Sequence, residues 1–166
     1  MPTFPNHPVL QDPSVQSILS QEYGRVSDAE FSRRKKLLNE VMAKHQCDAV
    51  LLCGEQRVGN GVVWITGWSV VTEGTVLFQP AQQEVLWVEH YNHVPNARRM
   101  ALGCDVRWAE RKGMGCPIAE LKKRGAKRVG LIGSASWAKI RALQEAFDLV
   151  DLNPAYAQLR MRKSDE

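Results

Sequence analysis

The sequence predicts an α/β domain, a mixed β-sheet flanked by helices, and three observations carry that prediction. "DAVLLCG" (48–54) is an apolar run closed by Gly, the pattern of a strand buried on both faces. "TVLFQ" (75–79) and "EVLWVE" (84–89) are β-rich and joined by the polar "PAQQ", which makes an antiparallel hairpin. Beyond the hairpin, helix-period and strand-period segments alternate three times, as in layered α/β domains. The hairpin brings antiparallel pairing into that sheet, so the sheet is mixed.

Each element has a local reason. Residues 1–26 carry Pro2, Pro5, Pro8 and Pro13 without a clear period, and read as an extended arm with one helical turn at 15–19. "SDAE" (27–30) is a capping box: Ser27 accepts from the third amide and Glu30 reaches back. Phe31, Leu38, Val41, Met42 and His45 recur at helical spacing, which predicts an amphipathic helix over 28–44. "EQRVGNG" is a loop, and "VVWITGW" (62–68) fits either a strand or one helical turn ended by Gly67. "NHVPNARRMALG" turns helical after Pro95 and stops at Gly103. "CDVRWAE" (104–110) is a strand. The loop 113–116 leads into a helix at Pro117 that ends on Gly125. "KRVGLIG" is a strand, "SASWAKIRALQEAF" a helix starting at a Ser cap, "DLVDLNP" a last short strand, and Pro154 opens the final helix. There is no internal repeat.

Composition narrows the function classes. The length of 166 residues fits one domain, and 44% apolar with 24% charged residues is ordinary for a soluble globular protein. No apolar run reaches the ~20 residues of a membrane span, and the start lacks the charged-then-apolar order of a secretory signal. The expectation is a cytoplasmic protein with no membrane partner. Cys47, Cys53, Cys104 and Cys116 form no C-x-x-C pair, and most sit in or beside apolar runs, as free thiols do. Basic clusters at 33–36, 122–124 and 160–163 fall on helices that also carry acids, without interleaved aromatics. They read as solvated helix faces rather than a nucleic-acid surface.

A search for catalytic groups finds little. "GEQRVGNG" lacks the Lys-Ser/Thr ending of a phosphate loop, and "GLIGSAS" has two glycines where a dinucleotide fingerprint needs three. "GSAS" also lacks the glycine that follows the serine of a nucleophile elbow. His90 and His93, beside Glu89, have metal-like spacing but no third ligand nearby, and read as a pair bonding loop backbone. "WITGW" stands out. Trp64 and Trp68 flank Thr66 and Gly67, and such a segment either packs into the core or presents a rigid aromatic lip to a ligand.

In order, "AEFSRRKKLLNEVMAKHQCDAVLLCG", "VVWITGW", "GTVLFQPAQQEVLWVEH", "GAKRVGLIG" and "LRMRKSDE" closely resemble the N-terminal domain of creatinase, prolidase and Xaa-Pro aminopeptidase, the pita-bread metallohydrolases. The markers are Arg33 and Arg34 on the first helix, Asp48 and Ala49, the segment Trp64 to Trp68, and the Leu-Arg-x-x-Lys-Ser junction at 159–164. The resemblance covers about residues 28–166 and divides the chain into an arm (1–26), the domain (27–158) and the start of a linker (159–166). It implies a ribonuclease H-like fold and a junction at which a catalytic domain would begin, which accounts for the helix-start signal in "KSDE". The family's metal ligands, two Asp, one His and two Glu, lie in that other domain. No catalytic residue and no cofactor is therefore expected in this chain, and manganese, zinc or cobalt only in the missing half. The resemblance further implies that this domain supports a homodimer, joins the catalytic domain of the same polypeptide, and shapes the substrate entrance. Trp64, Thr66, Gly67, Trp68 and His90 are the candidates for that entrance or interface. Trp64 stands where the family commonly has Tyr. The rival expectation is a free-standing module that binds a ligand or protein through its aromatic lip.

Overall fold

The computed structural model describes residues 12–20, 26–55, 61–70, 72–162 and 164. Helix α1 (Pro13–Ser20) lies within the proline-rich arm and is longer than the single turn expected there. Helix α2 (Asp28–His45) starts where the capping box places it, with Ser27 Oγ accepting from the Glu30 N–H at 3.1 Å. Glu30 itself turns its carboxylate to Arg33 and Arg34. Helix α2 ends at Gln46, whose left-handed backbone (φ 57°) lets its N–H reach the carbonyls of Met42 and Ala43.

Strands β1 (Ala49–Glu55), β2 (Glu73–Phe78), β3 (Glu84–Val88), β4 (Cys104–Trp108), β5 (Arg128–Gly133) and β6 (Asp148–Asp151) form one sheet in the order β4-β3-β2-β1-β5-β6. The expected hairpin is present: β2 pairs antiparallel with β3 and with β1, while β1–β5, β5–β6 and β3–β4 are parallel. Asp48 pins the central parallel pair. Its Oδ2 accepts the backbone N–H groups of Lys127 and Arg128, each at 2.8 Å. Those bonds hold its carboxyl below the usual carboxylate range.

Side chains alternate across β1 as a doubly buried strand requires. Val50 and Leu52 join a core with Leu38 and Met42 of α2, while Ala49, Leu51 and Cys53 join a second core on the opposite face. The first face is covered by α2, by α3 (Gly61–Thr66), α4 (Val94–Met100) and α7 (Asn153–Met161); the second by α5 (Gly115–Lys123) and α6 (Trp137–Ala146). The result is three layers, helix, sheet and helix. The ambiguous "VVWITGW" resolves as the helix α3. Ser136 precedes α6 as expected, yet its side chain makes no capping bond. The helix start expected in "KSDE" lies outside the described residues, apart from Ser164. All four cysteines are free thiols.

Candidate functional site

The Thr-Gly pair explains why α3 is one short helix and no more. Thr66 is fully buried, and its hydroxyl donates to the Val62 carbonyl at 2.7 Å and accepts from the Trp68 N–H at 3.1 Å. One hydroxyl thus closes the last turn and starts the exit. Gly67 then takes φ +77°, a left-handed conformation, and a side chain there would meet the Phe31 ring at 3.3 Å. The two tryptophans diverge as a consequence. Trp68 is 2% exposed and packs over Gly74. Trp64 stays half-buried on the outer side of α3. The structure therefore gives the core role to Trp68, with Ile65 beside it, and leaves Trp64 as the aromatic group able to face a ligand.

Trp64 is held by two residues. Its ring meets Tyr156 of α7 edge to face, centroids 5.4 Å apart. The Arg34 guanidinium sits 5.7 Å from the ring centroid and donates through Nη1 to the Trp64 carbonyl at 2.9 Å. Arg34 is fixed in turn by Glu30, which accepts from its Nε at 2.8 Å and from Arg33 Nε at 2.5 Å. Arg33 and Arg34 were expected on a solvated helix face, but Arg34 has only 16% of its side chain exposed. The cause is local: Glu30 lies three and four residues before them, on the same helix face. Bonds from Arg33 first, and Arg34 next, hold the Glu30 carboxyl down to about 2 against the opposing effect of burial. Burial pushes the Tyr156 phenol up to about 12, and among the described residues its hydroxyl has no hydrogen-bond partner.

Trp64, Arg33, Arg34, Arg160, Arg162 and Ser164 border a cavity of about 210 Å³ at the end of α7. Glu30 and Leu159 complete the lining, so four arginines, one carboxylate and the Trp64 ring surround the space. His90 lies outside it, beyond the end of β3. The His90 and His93 rings meet edge to face at 5.6 Å, so ring contact replaces the expected bonds to loop backbone, and His93 Nδ1 is buried without a partner. Among the described residues no three His, Cys, Asp or Glu side chains come together as metal ligands. No described helix is long and apolar enough to cross a membrane. Sequence reasoning missed Tyr156 and Arg160 as neighbours of Trp64; both come from the far end of the chain, and no local pattern links them to α3.

The Creatinase/Prolidase N-terminal domain model matches residues 33–162. Among solved structures, the Xaa-Pro dipeptidase from Bacillus anthracis superposes with TM-score 0.67 at 17% identity, covering 81% of this chain but 37% of that one. The chain thus spans little more than a third of that protein. By contrast it covers 98% of the aminopeptidase P structure from Streptococcus thermophilus (TM-score 0.61, 18% identity, 79% of this chain). It also covers 98% of the N-terminal domain of the cytoplasmic peptidase PepQ from Mycobacterium tuberculosis (TM-score 0.62, 21% identity, 78% of this chain). At these identities the likeness is one of fold. No curated protein matches the sequence. Because the family match takes in most of the chain, from the arginines of α2 to the end of α7, the chain belongs to the creatinase/prolidase N-terminal domain family.

Proposed function

We propose that this chain is the supporting N-terminal domain of a cytoplasmic metallohydrolase that cleaves Xaa-Pro peptide bonds, and that its own part is to wall the substrate entrance and to hold a homodimer. The chemistry belongs to a catalytic domain of the same polypeptide, which supplies the divalent metal, manganese, zinc or cobalt, and its five ligands. The observation that carries this reading is the setting of Trp64. It is a half-exposed aromatic ring fixed by Arg34 and Tyr156, on a cavity at the end of α7 where a following domain would attach. A rigid ring beside cations can grip the apolar body and the carboxylate of a short peptide, so its contribution falls on binding. Thr66 and Gly67 serve this surface from behind, by shaping the turn that keeps Trp64 out while Trp68 goes in.

The test starts with the coding sequence downstream of Glu166, where we expect codons for the spaced Asp, Asp, His, Glu and Glu ligands. In the protein so extended, Trp64→Ala should raise KM for an Xaa-Pro peptide about tenfold, with kcat within about twofold, because uniform binding is lost. A stop codon directly after Glu166, or a KM that ignores the substitution, overturns the reading.

A further inference from the structure

The homodimer of the proposed function needs a surface, and the geometry points to one: we infer that two copies of this chain join through the free edges of their β4 strands, antiparallel about a two-fold axis at Val106. Among the described residues β4 ends the sheet, so one side of its backbone has no neighbouring strand. Which groups face out follows from two contacts. The Ala109 N–H donates to the Val88 carbonyl at 2.9 Å, so odd-numbered residues turn their backbone groups toward β3. Arg98 reaches the Val106 carbonyl from the other side, at 3.3 Å from both Nε and Nη2. Cys104, Val106 and Trp108 therefore present the outward N–H and C=O groups.

A two-fold axis at Val106 uses all of them. Val106 pairs with the partner's Val106, and Cys104 with the partner's Trp108, every one an outward-facing position. Within one chain Arg107 already meets Asp105 at 2.6 Å and Glu120 at 2.9 Å, and the same register sets Asp105 opposite the partner's Arg107 and Arg107 opposite the partner's Asp105, so charges of alternating sign meet across the axis. Opposite charges directly across an antiparallel pair are stabilising. They also make the strand self-complementary, which an isologous contact requires. The other edge of the sheet lacks this property. β6 carries two acids, Asp148 and Asp151, and no base, so no register of that strand with its copy sets opposite charges across the pair.

Apolar surface adds area where a five-residue strand alone would be small. Trp108 is 37% exposed and stacks edge to face on Tyr91, which is 70% exposed, centroids 5.5 Å apart. Met100, 47% exposed, ends the helix that precedes β4. The axis brings the start of one β4 beside the end of the other, and so Met100 toward the partner's Tyr91 and Trp108. Arg98 is an obstacle at the centre. Its two bonds to Val106 are long, and the partner's Val106 N–H takes their place.

The test is sedimentation equilibrium on the whole chain. Wild type should be a dimer. Asp105→Lys creates Lys against Arg across the axis, and Arg107→Glu creates Glu against Asp, so each alone should weaken the dimer about tenfold or more. An equimolar mixture of the two variants restores both opposite-charge pairs and should recover the wild-type affinity as a heterodimer, a rescue that mere structural damage does not show. Arg98→Ala, on the surface, should tighten the dimer about fivefold by freeing the Val106 carbonyl. A dimer indifferent to all three substitutions, or unrescued by mixing, overturns the β4 contact while the homodimer reading stands. A monomer at every concentration tested removes both.

Discussion

Glu30 is the residue whose charge state matters most to this surface. It is 4% exposed and holds Arg33 and Arg34, and through Arg34 it fixes Trp64. Its carboxyl lies near 2 in the folded chain and close to the ordinary 4.5 when unfolded, so the folded state favours the ionised form. That stability is fully present above about pH 5 and is lost as pH falls toward 2. The shift corresponds to something on the order of 2 kcal/mol after allowance for the partly wet Arg33. We expect acid titration followed by circular dichroism to show wild type losing stability through this window, and Glu30→Gln to start lower by about that amount and lose less across it. A variant with the wild-type acid profile would show that the pair does not govern it. The spacing that makes Glu30 meet both arginines was readable in the sequence; its burial was not, because that depends on α3 and α7 closing over α2.

At the scale of elements, the parallel β1–β5 pair depends on a side chain outside either strand. The Asp48 carboxylate receives two backbone N–H groups from the residues that open β5. Such bonds fix the register where the pair begins, and each charge-assisted bond exceeds a neutral one. Asp48→Ala should therefore lower stability by about 1–2 kcal/mol, while Asp48→Asn, which keeps one acceptor oxygen, should lose about half as much. Urea unfolding of the two variants measures this, and equal losses would point to charge alone. Asp48 was marked in the sequence by its place beside Ala49, but nothing local said that its partners lie about eighty residues away. The segment "VVWITGW" shows the converse limit. Its apolar residues fit both periods over so short a length, and the buried Thr66 hydroxyl, bonded to the carbonyl four residues back, settles it as a helix.

The whole molecule rests on a shared central strand. β1 sends alternate side chains into both cores, and its neighbours β2 and β5 do the same, so neither helical layer has a core of its own. We expect thermal unfolding to be a single transition, with far-ultraviolet dichroism and tryptophan fluorescence giving coincident curves. Trp68 reports from the first core and Trp87 from the second, so separated midpoints would mean that the layers come apart independently. The same architecture decides where association occurs. A six-stranded sheet has two edges, and one carries self-complementary charge beside exposed aromatics while the other carries acids without a base.

By itself the sequence determined the class and order of the elements, the mixed sheet, the cap at Ser27, the turn at Gly67, and the family signature from Arg33 to Ser164. These are local properties: a period of 2 or 3.6 residues, a hydroxyl before a helix, a glycine where the backbone turns left-handed. Only the tertiary structure decided that Trp68 is core while Trp64 faces outward, and that Arg34 leaves the solvent to hold it. It also decided that Tyr156 completes the setting and that β4 rather than the hairpin lies at an edge. The physical reason is one of range. Periodicity tells which side of an element turns inward, but the neighbour it meets there is chosen by packing between segments a hundred residues apart, and the chemistry of a surface belongs to those neighbours.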